Sequence, residues 1–352
     1  MGKRIVVCCD GTWNTPDTTD AGRPVRTNVA RLAVAVRPVA GDGTEQRVCY
    51  LRGVGTGRWE RLRGGAFGYG LSRNVQEAYR FIAELYEPGD EVFLFGFSRG
   101  AYTARSTAGL VRAAGILRPG NLGRLEQAYE LYRGRSTHPR DVESQLFRRS
   151  FSVEARIRCI GVWDTVGALG IPLPGGWLAD RVNRRWAFHD TSLSTWVDGA
   201  FHALAIDELR KPFAPTLWQQ QPDAPADQRL EQVWFAGVHC DVGGGYPQTG
   251  LSDVALLWMA DRAGEFGLDF DPAALPAPGT PTAPDPSAPL HDSFRGLYRR
   301  LGPLHRSIGA TDPAHEHVAA SAAARHGADP GYRPPELEAY LADRRQVMPV
   351  RW

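Results

Sequence analysis

Three side chains of different chemistry stand at the ends of apolar runs, in the chain order Ser98, Asp164, His239. A serine hydroxyl is a weak nucleophile at neutral pH. Attack on an acyl carbon needs an imidazole to take its proton, and a carboxylate to hold that imidazole in one tautomer and stabilise its cation. Ser98 sits in Gly96-Phe-Ser-Arg-Gly100, directly after the apolar run Val92–Phe95. A sharp strand-to-helix turn at Ser98 strains its backbone, so the residues two before and two after must be small. The N–H of Arg99, opening the following helix, would then meet a developing oxyanion, with a second donor expected from the N–H of Gly11 or Thr12. Asp10, Asp241, Trp163 and Gly55 are supporting or substrate-site candidates.

Each of these residues also has a structural alternative. Asp164, followed by Thr165, suits a turn or helix cap. His239 could pack as a core histidine, although Gly243–Gly245 suggest a close approach of backbone to a ligand. Asp241 is expected to bond the adjacent glycine backbone. His202 lies in a stretch, Val197–Glu208, read as a helix, and is expected to be structural.

The elements that must position these groups alternate. Arg4–Cys9 reads as a buried strand ending in the turn-rich loop Asp10–Asn14, where Asp10 and Asn14 can bond nearby backbone. Asn28–Val36 is a helix with Asn28 as N-cap, and Val48–Leu51 is a strand. Leu71–Tyr86 is an amphipathic helix that Pro88-Gly89-Asp90 turns into the serine strand. The segments Leu125–Arg133 and Pro139–Arg149 have helical patterns. Arg156–Trp163 and Gln232–Gly237 are strands that deliver Asp164 and His239, and Leu251–Ala263 is a helix. Strands alternating with helices imply a mostly parallel α/β sheet, with sites at the carboxyl ends of its strands. Ile171–Leu178 could line an apolar pocket or pack as an ordinary loop. One domain over 1–352 is expected, with an irregular Pro-rich excursion near 271–290.

Composition narrows the partners. With 41 basic and 39 acidic residues, a net charge of +2 gives no footprint for nucleic acid. The five cysteines form no C-x-x-C pair, so neither a zinc site nor a disulfide framework is expected. The run Gly53-Val-Gly-Thr-Gly57 has the spacing G-x-G-x-G with no helix directly after it, which argues for a rim loop over a dinucleotide cradle. No cofactor is expected. The start Met1-Gly-Lys-Arg enters a strand at once and no run reaches membrane-spanning length, so a cytoplasmic location is expected, any export needing a route without a cleaved signal.

Five blocks together carry a resemblance: Cys9–Asn14, Gly96–Tyr102, Gly161–Gly167, His202–Glu208 with Lys211–Pro215, and Trp234–Tyr246. In this order, over roughly residues 4 to 265, the chain resembles the uncharacterised α/β-hydrolase domain family, whose best-understood members are phospholipase effectors of bacterial type VI secretion. The resemblance implies an α/β-hydrolase-like fold, a mostly parallel sheet flanked by helices with helical and loop insertions. It also implies a Ser-Asp-His esterase acting on lipid, with Ser98, Asp164 and His239 at the family's triad positions. Glu316–Arg325 resembles a further family segment, which usually carries a histidine where this chain has Ala319.

The function expected is hydrolysis of carboxylic esters, probed by a lipase, esterase or phospholipase substrate, with transient contact at a membrane surface. Two other readings stay open. One is a metal-dependent phosphoester hydrolase using Asp10, Asp164, His239 and Asp241. The other is a binding module that keeps the serine turn for fold reasons alone.

Overall fold

A computed structural model of the chain describes residues 2–11, 19–20, 23–53, 66–134, 139–167, 191–277, 283–343 and 345–350. Thr12, Asn14, Gly55 and the stretch Ile171–Leu178 lie outside the described residues. The apolar runs form strands β1 (Arg4–Cys9), β2 (Gln46–Leu51), β3 (Glu91–Phe97), β4 (Ile157–Trp163), β5 (Val197–Ala205), β6 (Arg229–Phe235), β7 (Glu316–Ala319) and β8 (Val347–Met348). They build one sheet in the order β8-β7-β6-β5-β4-β3-β1-β2. Every neighbouring pair in it runs parallel.

A parallel sheet needs cover on both faces, and the alternation of side chains supplies two apolar layers. Along β3, Phe93, Phe95 and Phe97 join the layer under helices α1 (Asn28–Ala35) and, later in the chain, Gly250–Glu265. Val92 and Leu94 join the opposite layer, under α2 (Ala66–Leu85), α3 (Arg99–Ala114), α4 (Leu125–Arg133) and α5 (Val142–Phe151). The chain then adds the short α6 (His239–Gly243) before α7, the Gly250–Glu265 helix. Thr27, not Asn28, caps α1, its hydroxyl accepting from the Ala30 N–H at 3.2 Å. The amide of Asn28 instead donates to the carbonyls of Val242 and Ser252, both at 2.9 Å. It thereby ties α1 to the region around α6.

The expected helix over Val197–Glu208 is a correction: Val197–Ala205 is strand β5, paired with β4 and β6. Phe201, Ala203 and Leu204 enter one layer while Val197 and Ala200 enter the other. A strand buried on both faces loses the alternation by which strands are recognised, and its run of small residues reads as helix.

Strand order reverses at β1, which has β2 on one side and β3 on the other. In open α/β sheets such a reversal is the usual ligand position, outside the carboxyl ends of the strands. Asp10 and Ser98 are the first residues beyond the ends of β1 and β3.

Candidate active site

Ser98 links β3 to α3 with φ of +57° and ψ of −120°. Its own N–H donates to the Trp163 carbonyl at 3.0 Å, so the turn is pinned to the end of β4. Asp164, directly after β4, has φ of +39°. Among the described residues these two are the non-glycine positions with positive φ. Such backbones cost about 1–3 kcal/mol each and persist where surrounding structure enforces them, typically at functional sites.

The flanking glycines explain how the turn fits. A Cβ at Gly96 would overlap the backbone of Gly100 and Ala101, and one at Gly100 would overlap the carbonyls of Cys9 and Asp10. Because the opposing atoms are backbone, Gly100→Ala is expected to push α3 off the end of β1. A loss of about 3 kcal/mol in urea denaturation should accompany it, at the upper end for overpacking.

Asp164 is fully buried and receives three charged or polar donors. His239 Nδ1 lies 2.5 Å from Oδ2. Arg306 places Nη1 2.7 Å from Oδ1 and Nη2 3.1 Å from Oδ2. The Ala205 N–H donates to Oδ1 at 3.0 Å. Burial works to raise the Asp164 carboxyl, but the Arg306 charge and the His239 hydrogen bond outweigh it and hold the group well below the usual carboxylate range. A carboxylate accepts, so His239 donates to Asp164 from Nδ1 and its Nε2 is the ring nitrogen left for other contacts.

His239 is the first residue of α6, and its ring is clasped by aromatic neighbours. Phe97, one residue before Ser98, lies tilted against it at 4.6 Å between centroids. Phe213 meets it edge-on at 5.0 Å. Behind the ring, buried Glu208 accepts from the His239 N–H at 3.3 Å and from Ser293 Oγ at 3.0 Å. Glu208 is itself paired with Arg210, whose Nη2 is 2.7 Å away. Burial raises the Glu208 carboxyl, but the hydrogen bond and charge of Arg210 prevail and keep it below its ordinary value. The Arg210 guanidinium lies 3.5 Å over the Phe213 ring, so one network fixes the histidine from its backbone and from its face.

Other expectations resolve differently. The Gly11 N–H donates to Asp10 Oδ1 at 2.6 Å, so the second oxyanion donor assigned to Gly11 is engaged by the neighbouring carboxylate. Thr12, the other candidate, lies outside the described residues. Asp10 also accepts from Thr27 Oγ1 at 2.7 Å and Tyr50 OH at 2.5 Å. Burial raises its carboxyl against those hydrogen bonds. Asp241 does not bond glycine backbone: its carboxylate takes the Val238 N–H at 3.1 Å and His291 Nδ1 at 2.6 Å. Two of the glycines after His239 meet protein, since a Cβ at Gly243 would overlap the Phe97 ring and one at Gly244 would crowd the Asn28 backbone. Trp163 is wholly buried against Phe95 and supports the site from the core. His202 is structural, as expected, but on β5: Nε2 accepts from the Thr165 N–H at 3.1 Å, and burial pushes its pKa down to about 3.

Among the described residues no group of three or more His, Cys, Asp or Glu side chains is arranged to hold a metal ion. The Arg306 fork takes the face of Asp164 that a cation would need. Sequence reasoning missed Arg306, Glu208 and Phe213 as parts of the site. The last two fall inside quoted blocks, whereas Arg306 has no local signature at all. The C-terminal contribution to the site comes from Arg306, while Ala319 ends β7 as a buried core residue.

A crystal structure of an uncharacterised protein from Pseudomonas aeruginosa aligns with a TM-score of 0.45 and 19% identity, covering 79% of this chain and 48% of that one. A structure of the Tle1 effector bound to the VgrG spike of the type 6 secretion system aligns with a TM-score of 0.38 and 17% identity, covering 71% and 52%. The uncharacterised protein YEL023C of Saccharomyces cerevisiae is 28% identical over 248 residues, 64% of this chain and 34% of its own length. The chain thus spans about a third of that curated relative. The family model described as the catalytic domain of the Tle1-like T6SS phospholipase effectors matches residues 3–262. With that match across most of its length, the chain belongs to the Tle1-like phospholipase effector catalytic-domain family.

Proposed function

We propose that the chain is a serine hydrolase of carboxylic esters of the lipid kind, with Ser98 as nucleophile, His239 as general base and acid, and Asp164 as its partner. The observation that carries this reading is the 2.5 Å contact between His239 Nδ1 and Asp164, made by a ring that lies against Phe97, the residue next to Ser98. Ser98 Oγ attacks the ester carbon while Nε2 of His239 takes the hydroxyl proton. The imidazolium so formed is stabilised by the Asp164 carboxylate. The carbonyl oxygen becomes an oxyanion facing the N–H of Arg99 at the positive end of α3. Collapse expels the alcohol, which receives the proton from His239. A water, deprotonated by the same imidazole, then releases the acid and restores Ser98.

Family membership supports a lipid ester over a small soluble one, and the geometry supports acyl chemistry over phosphoester chemistry. A fluorophosphonate probe tests the reading. The intact protein should be labelled at Ser98, as read by peptide mass spectrometry, and should lose turnover of a carboxylic ester in proportion. Labelling that avoids Ser98, or full turnover after Ser98 is blocked, would sink it.

A further inference from the structure

The segment from His291 to Arg306 is an arch over His239. One foot is held by His291 on Asp241 at 2.6 Å and by Ser293 on Glu208 at 3.0 Å. The other is held by the Leu304 N–H on the Leu209 carbonyl at 2.8 Å and by Arg306 on Asp164. Between the feet, Gly296 and Gly302 have φ of +58° and +72°, and these left-handed turns bracket the helical turn α8 (Leu297–Arg300). The underside of α8 reaches the site: Tyr298 meets Phe213 at 6.4 Å, and Phe213 meets His239.

The outer side of α8 carries exposed apolar side chains. Leu297 is 61% exposed and Leu301 37%. They are four residues apart on a helical turn, so they project together. Exposed arginines 295, 299 and 300 flank them. Over residues 292–302 the only acid is Asp292, which receives hydrogen bonds from both Arg295 and Arg299. Lys211 Nζ adds a further cation beside Gly302. Single exposed leucines need no explanation, but a pair ringed by cations, at the mouth of a buried site, does.

We infer that the crown of this arch, Leu297 and Leu301 with Arg295, Arg299, Arg300 and Lys211, docks the protein onto an anionic lipid surface. The inference rests on the proposed lipid-ester hydrolysis and names the surface that brings such a substrate to the site. The excess positive charge matches headgroup phosphates, to which arginine forks bond. Two leucines projecting past those cations reach the boundary between headgroups and acyl chains. Because the arch stands on Asp241, Glu208 and Asp164, a crown resting on a bilayer holds the Ser98 crevice at the lipid boundary.

Vesicle flotation of the full chain carrying Ser98→Ala tests docking without hydrolysis. Adsorption to phosphatidylcholine vesicles containing phosphatidylglycerol is expected, reduced by high salt and weak on phosphatidylcholine alone. Arg299→Glu with Arg300→Glu should weaken adsorption by about 25-fold or more, at about fivefold per basic residue lost. Leu297→Ser with Leu301→Ser should weaken it by about tenfold. All four positions are exposed, so far-UV circular dichroism should be unchanged. Absent adsorption, adsorption indifferent to phosphatidylglycerol, or undiminished adsorption of both variants would overturn the proposal. A dimer in gel filtration that the leucine variant dissolves would equally overturn it, by making a second copy the occupant. Turnover of a short-chain soluble ester by protein with Ser98 intact is read separately: its failure beside normal adsorption removes the hydrolase reading, and the reverse removes the docking surface.

Discussion

Ser98→Ala is expected to lower kcat on a carboxylic ester by on the order of 10⁴ to 10⁶-fold with little change in KM, the scale seen when a triad nucleophile is lost. Ester turnover under saturating substrate measures it. Ser98→Gly should be as inert, and the comparison of the two variants reads the strained turn. Alanine keeps a Cβ at φ of +57°, whereas glycine adopts that backbone freely. Ser98→Gly should therefore be more stable than Ser98→Ala by about 1 kcal/mol in urea denaturation. Equal stabilities would mean that the turn stores no strain. Near-normal turnover in both would end the assignment of Ser98.

Arg306→Met carries the second large effect. It removes the fork from Asp164 and leaves a buried carboxylate facing only His239 and one backbone N–H. Breaking a buried pair from one side typically costs about 3–5 kcal/mol, and that loss is expected at neutral pH. Misplacement of Asp164 should also lower kcat by about 10²-fold. The pH dependence has a definite sign. In the native chain Asp164 titrates below its unfolded value, near 3.9, so its contribution to stability is present above that value and lost as pH falls toward the folded one. Without Arg306, burial acts unopposed by that cation and the carboxyl moves upward. The variant then gains from protonation on acidification, and the gap between the two proteins narrows. Urea denaturation at pH 7 and pH 4 measures it. A gap that is constant or widens would show that Arg306 acts through packing alone. Arg306→Lys keeps the charge without the fork and should fall between the two.

How much of this was legible depends on how far each group lies from its partners in the chain. The serine turn announces itself within five residues because its constraints are local: an apolar strand, small flanks and a helix start. Asp164 and His239 were legible as polar residues just past apolar strands, which is where a parallel sheet leaves room for chemistry. Strand β5 was misread because burial on both faces erases the period of two, and its Ala, Gly and Asp residues carry little strand preference. Arg306 was invisible for another reason. Its partner is 142 residues away, and an isolated arginine in a Pro-rich, polar stretch looks like any solvated cation. Gly243 and Gly244 make room for protein and not for a ligand: the need for a missing side chain is readable from sequence, whereas the object it makes room for is not.

The wiring of the site also bears on when the protein becomes competent. Asp164 and His239 follow β4 and β6, but the cation that neutralises Asp164 arrives only at position 306, after six of the eight strands of the sheet. A nascent chain shorter than that would hold serine, aspartate and histidine in sequence yet expose an uncompensated negative charge where the core should close. A chain cut short of Arg306 is therefore expected to close its core around Asp164 less stably than the full one.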